Sequence, residues 1–462
     1  MDFLLWAKEH QDEFLKDLNK LVEIESTRDM TTAKKNAPFG KNCRKALDTM
    51  LDIANKDGFE TKDVDGYAGV VQYGKGEDAF GIVGHLDIVP LGEGWTKDPL
   101  KVTYNDGYIF GRGVMDDKGP VLAAYYALKL LREANIPLNK RVMLMLGCDE
   151  ESGMECMKYY KEHAEVPSAG FSPDADFPVV YGEKGGLHAL LKSNDATVIK
   201  KMHAGSRPNI VIGKADAYVE YISSQQRKEF SYFLKVNHLT GNISEEEGLI
   251  KIHIDGLSSH AAWPYKGNNA AVQLLNFIGI SYDDQLCKDL YFLLKDWMGQ
   301  PMEIDVDGTY MSCLTMSTGI VDIEDNQTSV LLDIRYPNDV TGDELISQMG
   351  NICSSLKSNI HVIKESDSKP LYVDPTSKLV KDLMDVYVKY TKDTFHPAKT
   401  IGGGTYARMF DNFVSFGPEK PWEEVETDQI VGGCHQADEG IKLSTLIEAI
   451  AIYAEAIVAL CS

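Results

Sequence analysis

The sequence predicts an α/β fold: a mixed, largely parallel sheet sandwiched by helices, with an α+β domain inserted into it. Three observations predict it. Strand-like and helix-like segments alternate from Gly66 onward, the pattern of layered α/β folds. The run Val142–Leu146 is apolar throughout and is followed by the carboxylates Asp149, Glu150 and Glu151, as in a strand covered on both faces. A central region then carries strands and helices of its own before a helical pattern resumes after Pro375.

Taken in order, Phe14, Leu15, Leu18, Leu21 and Val22 recur at helical spacing, and so do Leu47, Met50, Leu51 and Ile53, ending near Gly58. AGVVQYG from Ala68 and AFGIVGHLDIVP from Ala79 are β-rich runs bounded by glycines. DDKGPVLAAYYALKLLREANI from Asp116 is a helix of strong formers. The central region has the strands GLIKIHIDGLSSH from Gly248 and TSVLLDIRYP from Thr328, with a helix around Ala271–Ile278. Helical patterns return in PTSKLVKDLMDVYVKYTKD and in the tail that follows His435, which ends in a core-facing helix. A chain of 462 residues is long for one domain. The expected division is 1–182 as the first part of a catalytic domain, 183–371 as the insertion, and 372–462 as the second part.

Composition excludes several functions. A hydrophobic fraction of 44% and a charged fraction of 25% are those of an ordinary globular protein. The net charge of -23 disfavours phosphate backbones and anionic lipid surfaces, so neither nucleic acid nor membrane is an expected partner. The apolar run Phe3–Ala7 is too short for a secretory segment, and no stretch approaches the roughly 20 apolar residues of a membrane span. The eight cysteines are scattered without CxxC spacing, as expected of reduced thiols in a cytoplasmic protein.

Ligands in such folds gather at the carboxyl ends of strands, and acids and histidines accumulate there. In GHLDIVP, His85 and Asp87 lie on one side of an extended strand. The imidazole can ligate a metal while the carboxylate orients its other nitrogen; alone, the pair is more often a satisfied loop histidine. In GRGVMDDKG, Asp116 and Asp117 open a helix, where capping is the ordinary role of aspartate. In CDEES, adjacent acids repel unless cations, protons or solvent compensate them. Asp174 in SPDADFP and His435 in GGCHQADE complete the set. Together His85, Asp116, Glu151, Asp174 and His435 give five ligands for two divalent ions, with Asp116 bridging. Mixed nitrogen and oxygen donors suit Zn²⁺ first, with Mn²⁺ or Co²⁺ as alternatives. Glu150 is then left as an uncoordinated acid in the place of a general base.

The ordered motifs GHLDIVP, GRGVMDDKGP, DEESG, SPDADFP, GLSSHAAWP, GGGTYAR and CHQADE resemble the co-catalytic metallopeptidase family of carnosinases, aminoacylases, desuccinylases and peptidase T. Within it the chain is most similar to the peptidase V, or Xaa-His dipeptidase, type. The resemblance spans nearly the whole chain and implies a di-zinc exopeptidase fold in which the insertion is a lid. It implies that His85 and Asp174 complete one metal's shell and that Glu151 and His435 complete the other's. Asp87 would steer His85, Glu150 would activate a metal-bridged water, and the Asp116–Asp117 peptide would be cis. On the lid, His260 would hold the oxyanion and Asn209 would contact substrate. Arg335 is a candidate clamp for the substrate carboxylate, as are the backbone amides of Gly403, Gly404 and Thr405; Arg408 is an alternative clamp or a structural ion pair. The implied activity is hydrolysis of dipeptides and short peptides with a free N-terminus. The rival readings are an N-acyl amino acid amidohydrolase of the same family and a non-catalytic metal-binding protein on this fold. The long lid predicts a monomer.

Overall fold

The computed structural model describes residues 2–462. The chain divides into two compact units. One comprises Met1–Gly182, Val373–Lys399 and Gly404–Ser462; the other comprises Glu183–Tyr372 and Thr400–Gly403. Both mix helices with large sheets, and the overall class is α/β.

The first unit is built on a mixed sheet. Its strands run in the order Glu60–Val64, Ala68–Tyr73, Arg141–Gly147, Ala79–His85, Ala169–Ser172 and Phe413–Ser415, followed by the strand that starts at Val180. Arg141–Gly147, Ala79–His85, Ala169–Ser172 and Phe413–Ser415 are mutually parallel. The strands on the Glu60 side pair antiparallel. Every residue of Ala79–His85 is buried, which explains why that run reads as continuously apolar rather than alternating.

The period-2 geometry of a strand decides what reaches each face. Gly69, Leu146 and Gly84 sit in register and share a face. Leu47 and Leu51 of helix Lys41–Lys56 cover Gly69 there, and Val121 of helix Lys118–Glu133 covers Gly84. A Cβ at Gly84 would come within 2.4 Å of Val121 and 2.5 Å of the Asp117 carboxylate, so the helix that follows Asp117 needs glycine at that point. The next rank, Gly147 and His85, faces the other way, and Tyr406 covers Gly147.

The C-terminal helix, Leu443–Cys461, corrects one expectation. At 19 residues it is long and apolar enough to cross a membrane by length and composition, although no such run was expected from the sequence. It packs against helices Phe3–Glu9, Lys118–Glu133 and Lys378–Thr391, and 67% of its apolar window is buried inside the fold. Burial on nearly every side is the physical reason for that composition. All eight cysteines are free.

The second unit has an eight-stranded antiparallel sheet ordered Thr240–Glu246, Leu249–Asp255, Lys214–Val219, Ile199–Ala204, Thr315–Glu324, Gln327–Tyr336, Gly185–Ser193 and His361–Ser368. Gly185–Ser193 alternates buried residues with half-buried or exposed ones, the mark of a sheet with one covered face. Leu187, Leu191, Ile252, Ile254, Leu275 and Ile278 belong to its core.

Candidate metal centre

His85 ends its strand fully buried. Its backbone N–H donates to Asp117 Oδ2 at 3.0 Å. Its Nδ1 lies 2.9 Å from the backbone carbonyl oxygen of Asp87 and 3.5 Å from Asp87 Oδ1. A carbonyl oxygen only accepts, so Nδ1 carries a proton and Nε2 is the ring nitrogen that faces the cluster. That Nε2 faces Asp116 Oδ1 at 2.9 Å and Asp174 Oδ2 at 3.7 Å. Asp87 therefore meets the ring most closely through its backbone. Its carboxylate does something the sequence did not suggest: it accepts the backbone N–H groups of Glu150 and Glu151, each at 3.2 Å.

Asp116 and Asp117 are joined by a cis peptide. Asp117 occupies the cap position of helix Lys118–Glu133, but its side chain makes no capping bond; it holds the His85 backbone instead. Asp116 reaches two imidazoles, His85 through Oδ1 and His435 Nε2 through Oδ2 at 3.0 Å.

The three acids of CDEES separate into different roles. Asp149 is fully buried and is consumed by structure. It accepts Arg28 Nη1 at 2.9 Å and the Glu155 backbone N–H at 3.0 Å, and its own N–H donates to Tyr406 Oη at 3.1 Å. Glu151 Oε1 lies 3.1 Å from His435 Nε2. His435 sits at φ 65, a left-handed conformation that is uncommon for a residue with a side chain.

Two groups of donor atoms result, each with its atoms within 4.8 Å of one another: His85, Asp116 and Asp174, and Asp116, Glu151 and His435. Asp116 belongs to both. The electrostatics fit cations. Burial, then the charges of Glu151, Asp116 and Asp87, push the Glu150 carboxyl well above its usual range against the pull of His85. Burial, then Asp117, Asp116 and Glu150, does the same to Asp174. Hydrogen bonds to Asp116 and Glu151 raise the His435 imidazole to about 10. The cluster thus holds more carboxylate than its two imidazoles can balance, and added positive charge relieves it. Divalent ions on these nitrogen and oxygen donors are a chemically sound source of that charge.

The remaining expected residues have separate settings. Asn209, His260, Arg335 and Gly403 belong to the second unit. There the Asn209 and His260 loops run side by side: Ala261 N–H donates to Asn209 O at 2.9 Å, and Ile210 bridges His260. His260 Nδ1 accepts the Ala262 N–H at 3.1 Å. Arg335 is gripped by Asp333 through Nε at 2.6 Å and Nη2 at 2.8 Å. In the first unit, Thr405 Oγ1 caps the short 3₁₀ helix Tyr406–Met409. The Arg408 guanidinium lies against Gly404, where a Cβ would fall 1.8 Å from Nη2. Residues missed from the sequence are Arg28, Tyr406, Arg112 and Glu439, while Asp117 was expected only as a helix cap and instead holds the His85 backbone. Glu439 was detectable only as a further acid four residues beyond His435.

Carboxylates and imidazoles gathered in this way can hold metal ions. Residues 81–459 match the family model described as Peptidase family M20/M25/M40, and the chain belongs to that family. It is 35% identical to a "Putative dipeptidase" of Staphylococcus epidermidis over 98% of both chains. It is 34% identical to "Putative dipeptidase YtjP" of Bacillus subtilis over 97% of both. Among solved structures, the di-peptidase Dug1p from Saccharomyces cerevisiae matches with a TM-score of 0.60 at 12% identity, covering 99% of this chain and 98% of that one. Human carnosine dipeptidase 1 matches with a TM-score of 0.56 at 16% identity, covering 99% of each. At these identities the solved structures speak for the fold alone. The chain is a peptidase, and its family implies divalent metal ions for which the cluster holds suitable ligands.

Proposed function

We propose that this peptidase hydrolyses dipeptides and other short peptides with a free N-terminus, using two divalent ions held around Asp116. The observation that carries the reading is the sharing of Asp116 between two ligand groups. His85 and Asp174 would complete one site, and Glu151 and His435 the other, with Zn²⁺ the favoured ion and Mn²⁺ or Co²⁺ the alternatives. When bound, such a pair supplies Lewis acidity and a water of lowered pKa.

The chain's own residues do the rest. Asp87 fixes the orientation of His85 and, through the Glu150 and Glu151 amides, the placement of the two glutamates. The Glu150 carboxylate takes a proton from the attacking water and passes it to the leaving amine. The inserted unit is proposed to act as a lid. It would supply His260 to the oxyanion, and Asn209 and Arg335 to the ends of the substrate. Gly403, Gly404, Thr405 and Arg408 are further candidates for its carboxylate.

Substrate class is tested by comparing a free dipeptide with its N-acetyl derivative. The expected result is turnover of the free form and a loss of at least about 100-fold on acetylation, the scale expected when a buried polar group loses its partner. Preference for the acetylated form would favour the amidohydrolase reading. We also propose a monomeric, cytoplasmic protein. Sedimentation at working concentration should give the 51.3 kDa of one chain, and twice that mass would contradict it.

A further inference from the structure

Beside the cluster lies a constellation that the proposed reaction does not use. Asp438 and Glu439 follow His435 in the same loop. Glu439 is 0% exposed. Its Oε1 accepts three backbone donors of one loop, the N–H groups of Gly113 at 2.9 Å, Met115 at 3.0 Å and Asp116 at 3.3 Å. Its Oε2 pairs with Arg112 Nη1 at 2.6 Å, and its backbone carbonyl accepts the Gly111 N–H at 3.0 Å. One residue thus grips the loop from Gly111 to Asp116 along its whole length.

Asp438 anchors the other side. Its carboxylate accepts the N–H groups of Thr96 at 2.9 Å and Lys97 at 3.1 Å and the Thr96 hydroxyl at 2.7 Å. Its carbonyl accepts the Gly432 N–H at 2.8 Å, and the Gly440 N–H closes on Gly432 O at 3.0 Å. The loop that presents His435 is therefore pinned at its base.

A carboxylate needed only as a counter-ion would be served by Arg112 alone. Three amides aimed at one oxygen are a positional device, because a shift of that oxygen moves the backbone that carries Asp116. We propose that Asp438 and Glu439 are the positioning residues of the metal centre. They join the Asp116 loop and the His435 loop into one body and so set the separation of the two cation positions. The inference rests on the two-ion reading above and acts wholly through Asp116 and His435.

The test is calorimetric titration of the full chain, stripped of metal by a chelator, with Zn²⁺ alone. Wild type should take up two ions. Glu439→Ala, which removes the oxygen that accepts the three amides, should keep a native far-UV spectrum and bind Zn²⁺ about 10- to 100-fold more weakly, the range for outer residues that orient metal ligands. Asp438→Ala, which removes the acceptor of the Thr96 and Lys97 amides, should weaken mainly the second ion, and it carries the test if Glu439→Ala fails to fold. Loss of affinity in a folded variant supports the assignment, because a merely structural role lowers thermal stability without moving Zn²⁺ affinity. Wild-type affinity for both ions in every folded variant overturns it. A wild-type chain that binds fewer than two ions would instead contradict the two-ion reading, a distinguishable outcome.

Discussion

Glu150→Gln should lower kcat on a free dipeptide by on the order of 10²–10⁴-fold, the usual contribution of a positioned general base, while metal content stays at the wild-type level. The separation of the two effects follows from the site. The backbone N–H of Glu150 donates to Asp87, as does that of Glu151, so an amide side chain leaves the loop in place. Glu150 lies outside both ligand groups, so its replacement removes no donor. Gln has nearly the same shape but cannot accept the proton. Kinetics and metal analysis on one preparation check the result. A near-normal rate would show that another group is the base, and a parallel loss of metal would show that Glu150 is a ligand.

Asp116→Ala should be the most damaging single change at the centre. Asp116 is the one residue common to both ligand groups, and its two oxygens meet His85 and His435 separately. Removing it deprives both ions of a ligand and both imidazoles of a partner at once. Affinity for metal should fall by more than the roughly 10- to 100-fold that follows loss of an outer, orienting residue, and turnover should drop to background. The fold should survive, because the Asp117 side chain still ties His85 to the helix start and Glu439 still holds Gly113 and Met115. Circular dichroism, equilibrium dialysis against Zn²⁺ and a rate assay together check this. A variant that keeps one tightly bound ion would show that the two positions are more independent than a shared aspartate allows.

The sequence carried the layer fold because its evidence is local. A buried parallel strand reads as an unbroken apolar run, as Val142–Leu146 does, and a helix reads by its period. His85, Asp116, Glu151, Asp174 and His435 were weak signals one by one; their common placement at strand ends and glycine-marked turns, and the order of their motifs, singled them out as a set. What stayed hidden depends on partners remote along the chain. Nothing near Asp149 shows that Arg28, 121 residues away, withdraws it from its two acidic neighbours. Nothing near Glu439 shows that it grips a loop 323 residues earlier, at Asp116. The meeting of Asp87 and His85 was expected, but the choice of backbone oxygen over carboxylate is set by the two amides that claim the carboxylate. The Leu443–Cys461 helix shows the same limit from the other side. Its composition alone cannot tell a membrane span from a buried helix; the helices packed against it can.

The chain is a peptidase, and the proposed pair of metal ions around Asp116 would do its chemistry. The most direct measurement is metal content per chain by mass spectrometry, paired with dipeptide hydrolysis before chelation, after chelation and after stepwise return of Zn²⁺ or Mn²⁺. Active enzyme should carry two ions per chain, lose turnover on chelation and recover it on metal return. Turnover that persists in protein stripped of metal, or full activity with no site occupied at Asp116, would contradict it.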